Sequence, residues 1–376
     1  MKNAIKLIFV MVSLFSTQFI QAQFEKRSNP NDYNTPVMKA IAYGLTAPNP
    51  HNTQSWYIDT LSETEMFLYV KHVLPETDPP ARQIIIGAGC FIECLAVGMT
   101  HEGFETQVEY LPQGDYTVEK NQIGIKPIAK ITLAKSDTIS NDILYNNIYQ
   151  RQSNRSPYKG KMITEKEFDD LRNLTGKTHS EMLFINNPES MKPYQDIFYE
   201  AMEIETITRH TSDETRKLFR FSETERQEKK DGLSLPQSGV DGIMLPMIEK
   251  SMKNGDSLTW HSERMVKATM KSMKNSIYSA KGIVMFKTET NTKTDWIKTG
   301  RDFARYNIAV AKKELATSHY NQVIQEYGEM QALQKEFNTL TKTRGDEKIQ
   351  LIVRIGRANP TYTSWRRNAE DYIYKK

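Results

Sequence analysis

The spacing of apolar residues divides the chain into repeated helical and extended segments. In TPVMKAIAYGLTAP, Val37, Ala40, Ile41, Gly44 and Leu45 recur at helical spacing, which predicts a helix from Thr35 that Pro48 stops. MFLYVKH, rich in aromatic and branched residues, predicts a strand. RQIIIGAGCFIECLAVGMTHEGF places Ile85, Ala88, Ile92, Leu95 and Met99 on one stripe, with Gly103 as a natural helix stop. TQVEYLP and IAKITLA then read as two further strands. The pattern is that of a mixed α+β protein.

A second cycle opens near Asn141. NDILYNNIYQRQSNRSPYKGKMITEKEFDDLRNL predicts a helix, a polar loop and another helix, for which Thr164 and Glu167 suit a capping box. The strand EMLFIN follows, then a long polar insertion between Met202 and Ser279, rich in charge and turn formers. Beyond it come a strand at GIVMF and a helix in GRDFARYNIAVAKKELATSHYNQ, with Ala304, Ile308, Ala311 and Leu315 on one face. The strand LIVRIGRA and the Arg-rich TSWRRNAEDYIYKK close the chain. Both cycles run helix, strand, long apolar helix, strand, a hint of duplication.

The first residues change the picture of where the chain works. Lys2 and Lys6 precede an apolar stretch that ends with Ile20 and Ala22 placed as in a cleavage site, so residues 1–22 read as a secretory signal peptide. Ser13, Ser16, Thr17 and Gln18 interrupt that run, which falls short of the ~20 apolar residues of a membrane span. No later segment is expected to span a bilayer, so an exported protein, periplasmic or extracellular and without a membrane anchor after cleavage, is expected. With the leader's two lysines removed, the formal net charge falls from +4 to +2, which argues against a nucleic-acid partner. Cys90 and Cys94, four residues apart, face one side of an apolar helix and read as buried thiols. No disulfide framework or metal site follows from them.

Three polar stretches are candidates for chemistry, each with a plain alternative. APNPHNTQSWYID is either an ordinary turn feeding a strand or a stiff platform, because Pro48 and Pro50 fix φ and remove donors beside His51 and Asn52. In RQSNRSPY, Arg151, Ser153 and Arg155 alternate, so an extended stretch points all three to one side. Such a cluster suits a phosphate, since guanidinium pairs bidentately with its oxygens; the alternative is a solvated basic loop. Arg366 and Arg367 read equally as a basic surface tail.

Taken in order, these motifs resemble the nitroreductase superfamily, and more closely its Acg-like FMN-binding branch, in which two nitroreductase-type halves are fused in one chain. APNPHNTQSW is similar to the family segment APS-x-x-N-x-QPW, with Asn52, Gln54 and Trp56 in place but Asn49 for Ser and Ser55 for Pro. RQSNRSPY is similar to the Arg-Arg-Ser-x-Arg loop that grips the flavin phosphate, with Gln152 in place of the second Arg. The closing IVRIGRANPTYTSWRR resembles the end of family members, where the chain returns to the cofactor.

The resemblance implies a nitroreductase-like α+β fold built as a pseudo-dimer. Its halves would cover residues 33–140 and 141–376, with a lid inserted at about 202–279. It implies FMN as cofactor, bound by His51, Asn52, Gln54, Arg151, Ser153, Arg155, Gln322, Arg366 and Arg367. His319 is the weaker neighbour of Gln322, and neither Arg354 nor Arg357 is favoured as the inward residue of the last strand. The implied activity is two-electron reduction of a nitroaromatic, quinone or similar acceptor, with the electron donor open and no side chain required as catalytic acid or base. A flavin-sequestering protein with little turnover is the alternative. The chain would act as a monomeric pseudo-dimer or as a homodimer.

Overall fold

A computed structural model describes residues 26–115 and 123–374. Residues 1–22, read above as a leader, lie outside the described residues. Two antiparallel sheets organise the rest. The first contains β1 (Trp56–Thr60), β2 (Glu65–Val70), β3 (Phe104–Tyr110) and β4 (Ala129–Lys135), in the spatial order β1-β2-β4-β3. The second contains β5 (Glu181–Ile185), β6 (Gly282–Thr288), β7 (Ala316–His319) and β8 (Lys348–Gly356), in the equivalent order β5-β6-β8-β7.

The two sheets differ in what covers them. β2 and β3 alternate between more and less buried positions, as strands with one covered face do. β6 and β8 are buried almost throughout, because apolar layers cover both of their faces. Val284 and Phe286 join the main core, whereas Ile283 and Met285 join a second core with Phe198, Tyr320 and Phe337. A bulge opposite Phe286 and Lys287 shifts the register of β8, so that Ile349 and Ile352 reach the second core.

Helices fill the space between the sheets. α1 (Pro36–Gly44) precedes β1, and α2 (Arg82–His101) joins β2 to β3. α3 (Glu165–Thr175) starts with the expected capping box, in which Thr164 and Glu167 each bond the other's backbone N–H. α4 (Pro188–Ile207) runs into the insertion, which forms α5 (Arg209–Lys217), α6 (Glu223–Lys229), α7 (Leu245–Ser251), α8 (Ser257–Trp260) and α9 (Glu263–Tyr278). α10 (Lys293–Lys312) joins β6 to β7, and α11 (Gln331–Leu340) precedes β8.

α2 and α10 form the centre of the molecule. They cross at Gly89 and Gly300, each the eighth of twenty residues in its helix. A Cβ on Gly89 would sit 2.0 Å from the Ile297 carbonyl oxygen, and one on Gly300 would sit 2.0 Å from that of Ile86. Only glycine permits this backbone-to-backbone approach. Beside the crossing, Glu93 accepts from Arg301 at 2.7 Å and from Arg305 at 3.1 Å, and Arg305 also reaches Asp142 at 2.7 Å.

Several sequence expectations are corrected. No α-helix forms after Asn141; a single 3-10 turn, Tyr145–Asn147, replaces it, and Leu144 and Ile148 are drawn into the core. The helix expected in GRDFARYNIAVAKKELATSHYNQ begins earlier, at a Thr292–Asp295 capping box, and stops at Lys312. Leu315 therefore lies beyond it and ATSH is a strand, because β8 offers those residues a ladder. The polar insertion is largely helical and carries its own small core of Phe219, Phe221 and Met252. α2 is long and apolar enough to cross a bilayer, contrary to expectation, but most of its apolar window is buried inside the protein.

The crossing gives a direct test. Gly89→Ala and Gly300→Ala should each destabilise the protein by about 1–3 kcal/mol or more, as overpacking does. Equilibrium denaturation measures this, and a wild-type midpoint in both variants would refute backbone contact at the crossing.

Candidate functional site

The proline-bounded loop after α1 is strained. His51, Asn52 and Gln54 have φ of 50°, 55° and 49°, a left-handed backbone that costs an L-residue roughly 1–2 kcal/mol. Asparagine tolerates it best; histidine and glutamine need support from outside. Inside the loop, Asn49 Oδ1 accepts from the Gln54 N–H at 2.8 Å, and Thr53 Oγ1 donates to the Pro50 carbonyl at 3.0 Å. From the chain end, the Arg367 guanidinium donates to the carbonyls of Thr53 and Gln54. Gln54 is fully buried: its amide donates to the Lys230 carbonyl at 2.8 Å and its oxygen accepts from Arg367 N and the Tyr372 hydroxyl.

The Arg151–Arg155 stretch is fixed from behind by β7 and β8. Asn154 N–H donates to the Thr317 carbonyl at 2.8 Å. Arg354 is fully buried and donates to the carbonyls of Asn154 and Ser156, to that of Ser276 and to the Ser318 hydroxyl, while its plane lies 3.7 Å from the Tyr158 ring. Arg357 turns to the surface and pairs with Glu167. Arg354 is thus the inward residue of the last strand, and its donors hold the loop in place.

Two adjoining cavities lie between these loops. The smaller, about 60 Å³, is lined by Arg27, Arg151, Ser153, Arg155, Arg366 and Asn52, among others. Among the described residues, none of these four arginines forms an ion pair. Arg151 donates to the Thr46 carbonyl, Arg366 to that of Ala47 and Arg27 to that of Tyr149. Nε and Nη1 of Arg366 and Nε of Arg27 are buried without a partner. Burial, and next the Arg151 charge, hold Arg27 down at about 10; burial, then Arg27 and Arg151, push Arg366 well below the usual range. Gathering buried cations with no carboxylate costs several kcal/mol per ion. The arrangement suits an anion.

The larger cavity, about 150 Å³, shares Pro48, Asn49 and Arg155 with the first. His51, Gln322, His319, Gln83 and Asp78 supply its polar wall, and Ile86, Cys90, Phe303 and Leu351 its apolar wall. Burial first, then the Arg155 charge, holds His51 down at about 4 and His319 at about 3, so both rings are neutral near pH 7. Burial also raises Asp78 to about 6, against the opposing pull of Arg82. Gln83 Nε2 and the Gln322 and Gln325 Oε1 atoms are buried without partners. No cluster of possible metal ligands occurs among the described residues.

Of the nine residues singled out in the sequence, His51, Asn52, Arg151, Ser153, Arg155, Gln322 and Arg366 line one or both cavities. Gln54 and Arg367 line neither cavity and hold the strained loop from behind, while Nε of Arg367 is buried without a partner. Sequence reasoning missed Arg27, which comes back to the site through the chain end, where the Arg366 N–H donates to the Lys26 carbonyl at 2.9 Å. The Lys26–Arg27 pair was the available signal. Gln83, in the first turn of α2, and Asp78, in the turn before it, carried none.

The insertion is fastened to the strained loop. His51 Nε2 and Thr215 Oγ1 share a hydrogen bond of 3.1 Å, and the Gly232 N–H donates to the Asn52 carbonyl at 3.2 Å. Glu214 accepts from the N–H groups of Glu76 and Thr77, and Gln237 donates to the Ser364 hydroxyl.

No family profile matches the chain. Two uncharacterized proteins of Mycobacterium tuberculosis, Rv3127 of strain H37Rv and MT3212 of strain CDC 1551, are each 25% identical over 131 residues. The match covers 34% of this chain, which thus spans about a third (36%) of the length of these curated relatives. Among solved structures, iodotyrosine deiodinase bound to FMN and 3-iodo-L-tyrosine is 11% identical, with 60% of this chain and 95% of that one covered at a TM-score of 0.35. An FMN-bound nitroreductase of Bacteroides fragilis is 13% identical, with 58% and 89% covered at 0.32. The FMN-dependent nitroreductase of Mycobacterium smegmatis, solved with NADPH, is 12% identical, with 57% and 86% covered at 0.35. These neighbours are nitroreductase-family FMN proteins, and the superpositions are partial.

The neutral histidines set a pH dependence. Both pKa values are depressed on folding, so between the unfolded value of about 6.5 and about 4 the unfolded chain binds protons that the folded chain does not. Stability should therefore fall as pH drops through that window. Denaturation at pH 7, 5.5 and 4.5 should show a steeper loss in wild type than in a His51→Asn/His319→Gln variant; equal slopes would refute the assignment.

Proposed function

We propose that the chain is an exported FMN-dependent oxidoreductase of the nitroreductase type, belonging to the branch in which two such halves are fused, with one FMN at their junction. The observation that carries this reading is the carboxylate-free group of buried Arg27, Arg151 and Arg366 with the half-buried Arg155, with orphaned N–H donors on two of them. A phosphate monoester supplies the missing charge and the missing acceptors together. The adjoining cavity, polar on one wall and apolar on the other, suits a flat heteroaromatic ring.

When bound, FMN supplies two-electron hydride chemistry towards a nitroaromatic, quinone or similar small acceptor. The chain's own residues bind and orient. The four arginines and Ser153 would hold the phosphate; Asn52, whose Oδ1 is buried without a partner, and Gln322, with an orphaned Oε1, would meet polar edges of the ring. His51 and His319, neutral beside Arg155, add polar contacts without adding positive charge. No side chain needs to act as a catalytic acid or base. Equivalent strand order in the two sheets, and glycines at equal positions in the crossing helices, support the reading of two related halves. The insertion's grip on the His51–Gln54 loop favours a second reading, in which access is so restricted that the protein stores flavin rather than turning over.

The experiments separate these readings. Purified protein should carry a flavin absorption spectrum, with one FMN released per chain after reconstitution and desalting. Arg155→Ala and Arg366→Ala should each weaken FMN binding by about tenfold or more, since a charge-assisted hydrogen bond is worth roughly 1.5–3 kcal/mol, with unchanged circular dichroism. Full flavin retention in both variants, or a ratio of two per chain, would overturn the site as drawn. Replacing residues 225–242 by a short Gly/Ser linker should speed oxidation of the reduced protein by external quinone. An unchanged rate would remove the insertion as the gate.

A further inference from the structure

Half of the exposed large apolar side chains among the described residues lie within one stretch of the insertion. Ile243 is 94% exposed and Leu258 82%, and Met244, Met247 and Ile248 are exposed around α7. These residues have no partner surface, yet the elements that carry them are firmly held. Glu249 of α7 forms a buried ion pair with Arg226 at 2.5 Å. Met252, one residue past the helix, enters the small core of Phe219 and Phe221. The turn Lys253–Gly255 joins α7 to α8 and lies so close to the Phe221 ring that a Cβ on Gly255 would sit 2.5 Å from it. The apolar side chains therefore project from an ordered base.

Cations flank this tip. Lys250 and Lys253 are exposed beside it. On α9, which follows α8 directly, Arg264, Lys267, Lys271 and Lys274 recur at spacings of three, four and three, which places them on one helical stripe, and all four are exposed. Only Lys267 of the four is paired with a carboxylate, that of Glu263.

We propose that this face of the insertion docks on a membrane surface bearing anionic lipid headgroups, with Ile243, Met244, Met247, Ile248 and Leu258 entering the interface and the lysine-rich flank meeting the headgroups. Two physical arguments select this occupant. Apolar side chains bordered by Lys and Arg are the pattern of interfacial docking, where buried apolar area and attraction to anionic lipid add. The projecting side chains expose on the order of several hundred Å², less than the roughly 800 Å² that each partner of a stable dimer buries. A fluid interface accepts such a projection without a preformed pocket. The inference is independent of the flavin reading, since no residue of either cavity takes part.

Vesicle co-sedimentation tests it, with phosphatidylcholine vesicles and with vesicles containing phosphatidylglycerol, using chains with identical N-termini so that any contribution from residues 1–22 cancels. The wild-type chain should bind the anionic vesicles at least tenfold more tightly than the neutral ones, and lose that preference in high salt. Ile243→Ser/Met247→Ser should lower binding to anionic vesicles at least tenfold, and Lys271→Glu/Lys274→Glu should abolish the preference, both with unchanged thermal unfolding. Equal binding by wild type and the apolar-tip variant, or no preference for anionic lipid, would overturn the proposal. So would absence of vesicle binding together with a concentration-dependent dimer that the apolar-tip variant abolishes, which would make a second copy the occupant. A wild-type chain that neither sediments with vesicles nor self-associates would overturn it as well.

Discussion

The close approach of α2 and α10 at Gly89 and Gly300 is the constraint on which the rest of the structure depends. With no side chain between the two backbones, the helices bring their flanking sheets together around one continuous core that includes Phe91, Ile92, Phe303 and Ile308. The loop before β1 and the loop before α3 meet directly, where the Arg151 guanidinium donates to the Thr46 carbonyl. Ile86 and Gly87 of α2 and Phe303 of α10 form part of the wall of the larger cavity, so the cavity is a consequence of where the helices cross.

Charge is distributed by role. Arginines with structural duties have acceptors to match: Arg354 meets five, and Arg301 and Arg305 share Glu93. Arg27, Arg151, Arg155 and Arg366 are gathered without a carboxylate, which a stable protein tolerates only where an anion completes the site or where function requires the deficit. Backbone strain is concentrated in the same place. His51, Asn52 and Gln54 hold left-handed conformations because Arg367, Tyr372 and the insertion bond them from behind. Strain of this kind persists where the surroundings over-determine the backbone, commonly at ligand sites.

The insertion links the site to the outside. It supports the strained loop through Thr215, Lys230 and Gly232, and it carries on another part of its surface the exposed apolar tip and the basic stripe of α9. A contact made by its outer surface is thus mechanically continuous with the loop that lines the cavities.

Local patterning by itself determined most of the regular structure. Helical spacing marked α1 and α2, the Thr164–Glu167 pair marked the start of α3, and β-branched runs marked most of the strands, because each signal acts within a few residues. The alternation of Arg151, Ser153 and Arg155, and the prolines beside His51, likewise marked the two loops that line the cavities. What the sequence could not supply was decided by packing. ATSH became a strand because β8 offered it a ladder, and ILYNNIY lost its expected helix because Leu144 and Ile148 were more stable in the core. Gln54 and Arg367, read as direct contacts, hold the strained loop, and Arg27, which the motifs did not single out, lines the cationic cavity. Arg354 and Arg357 were distinguished only by which neighbour each could reach: five acceptors behind the loop for one, Glu167 at the surface for the other. Local sequence sets conformational preference within a turn or two, whereas the direction of a long polar side chain depends on acceptors contributed by residues far away in the chain, and only the tertiary structure brings those within reach.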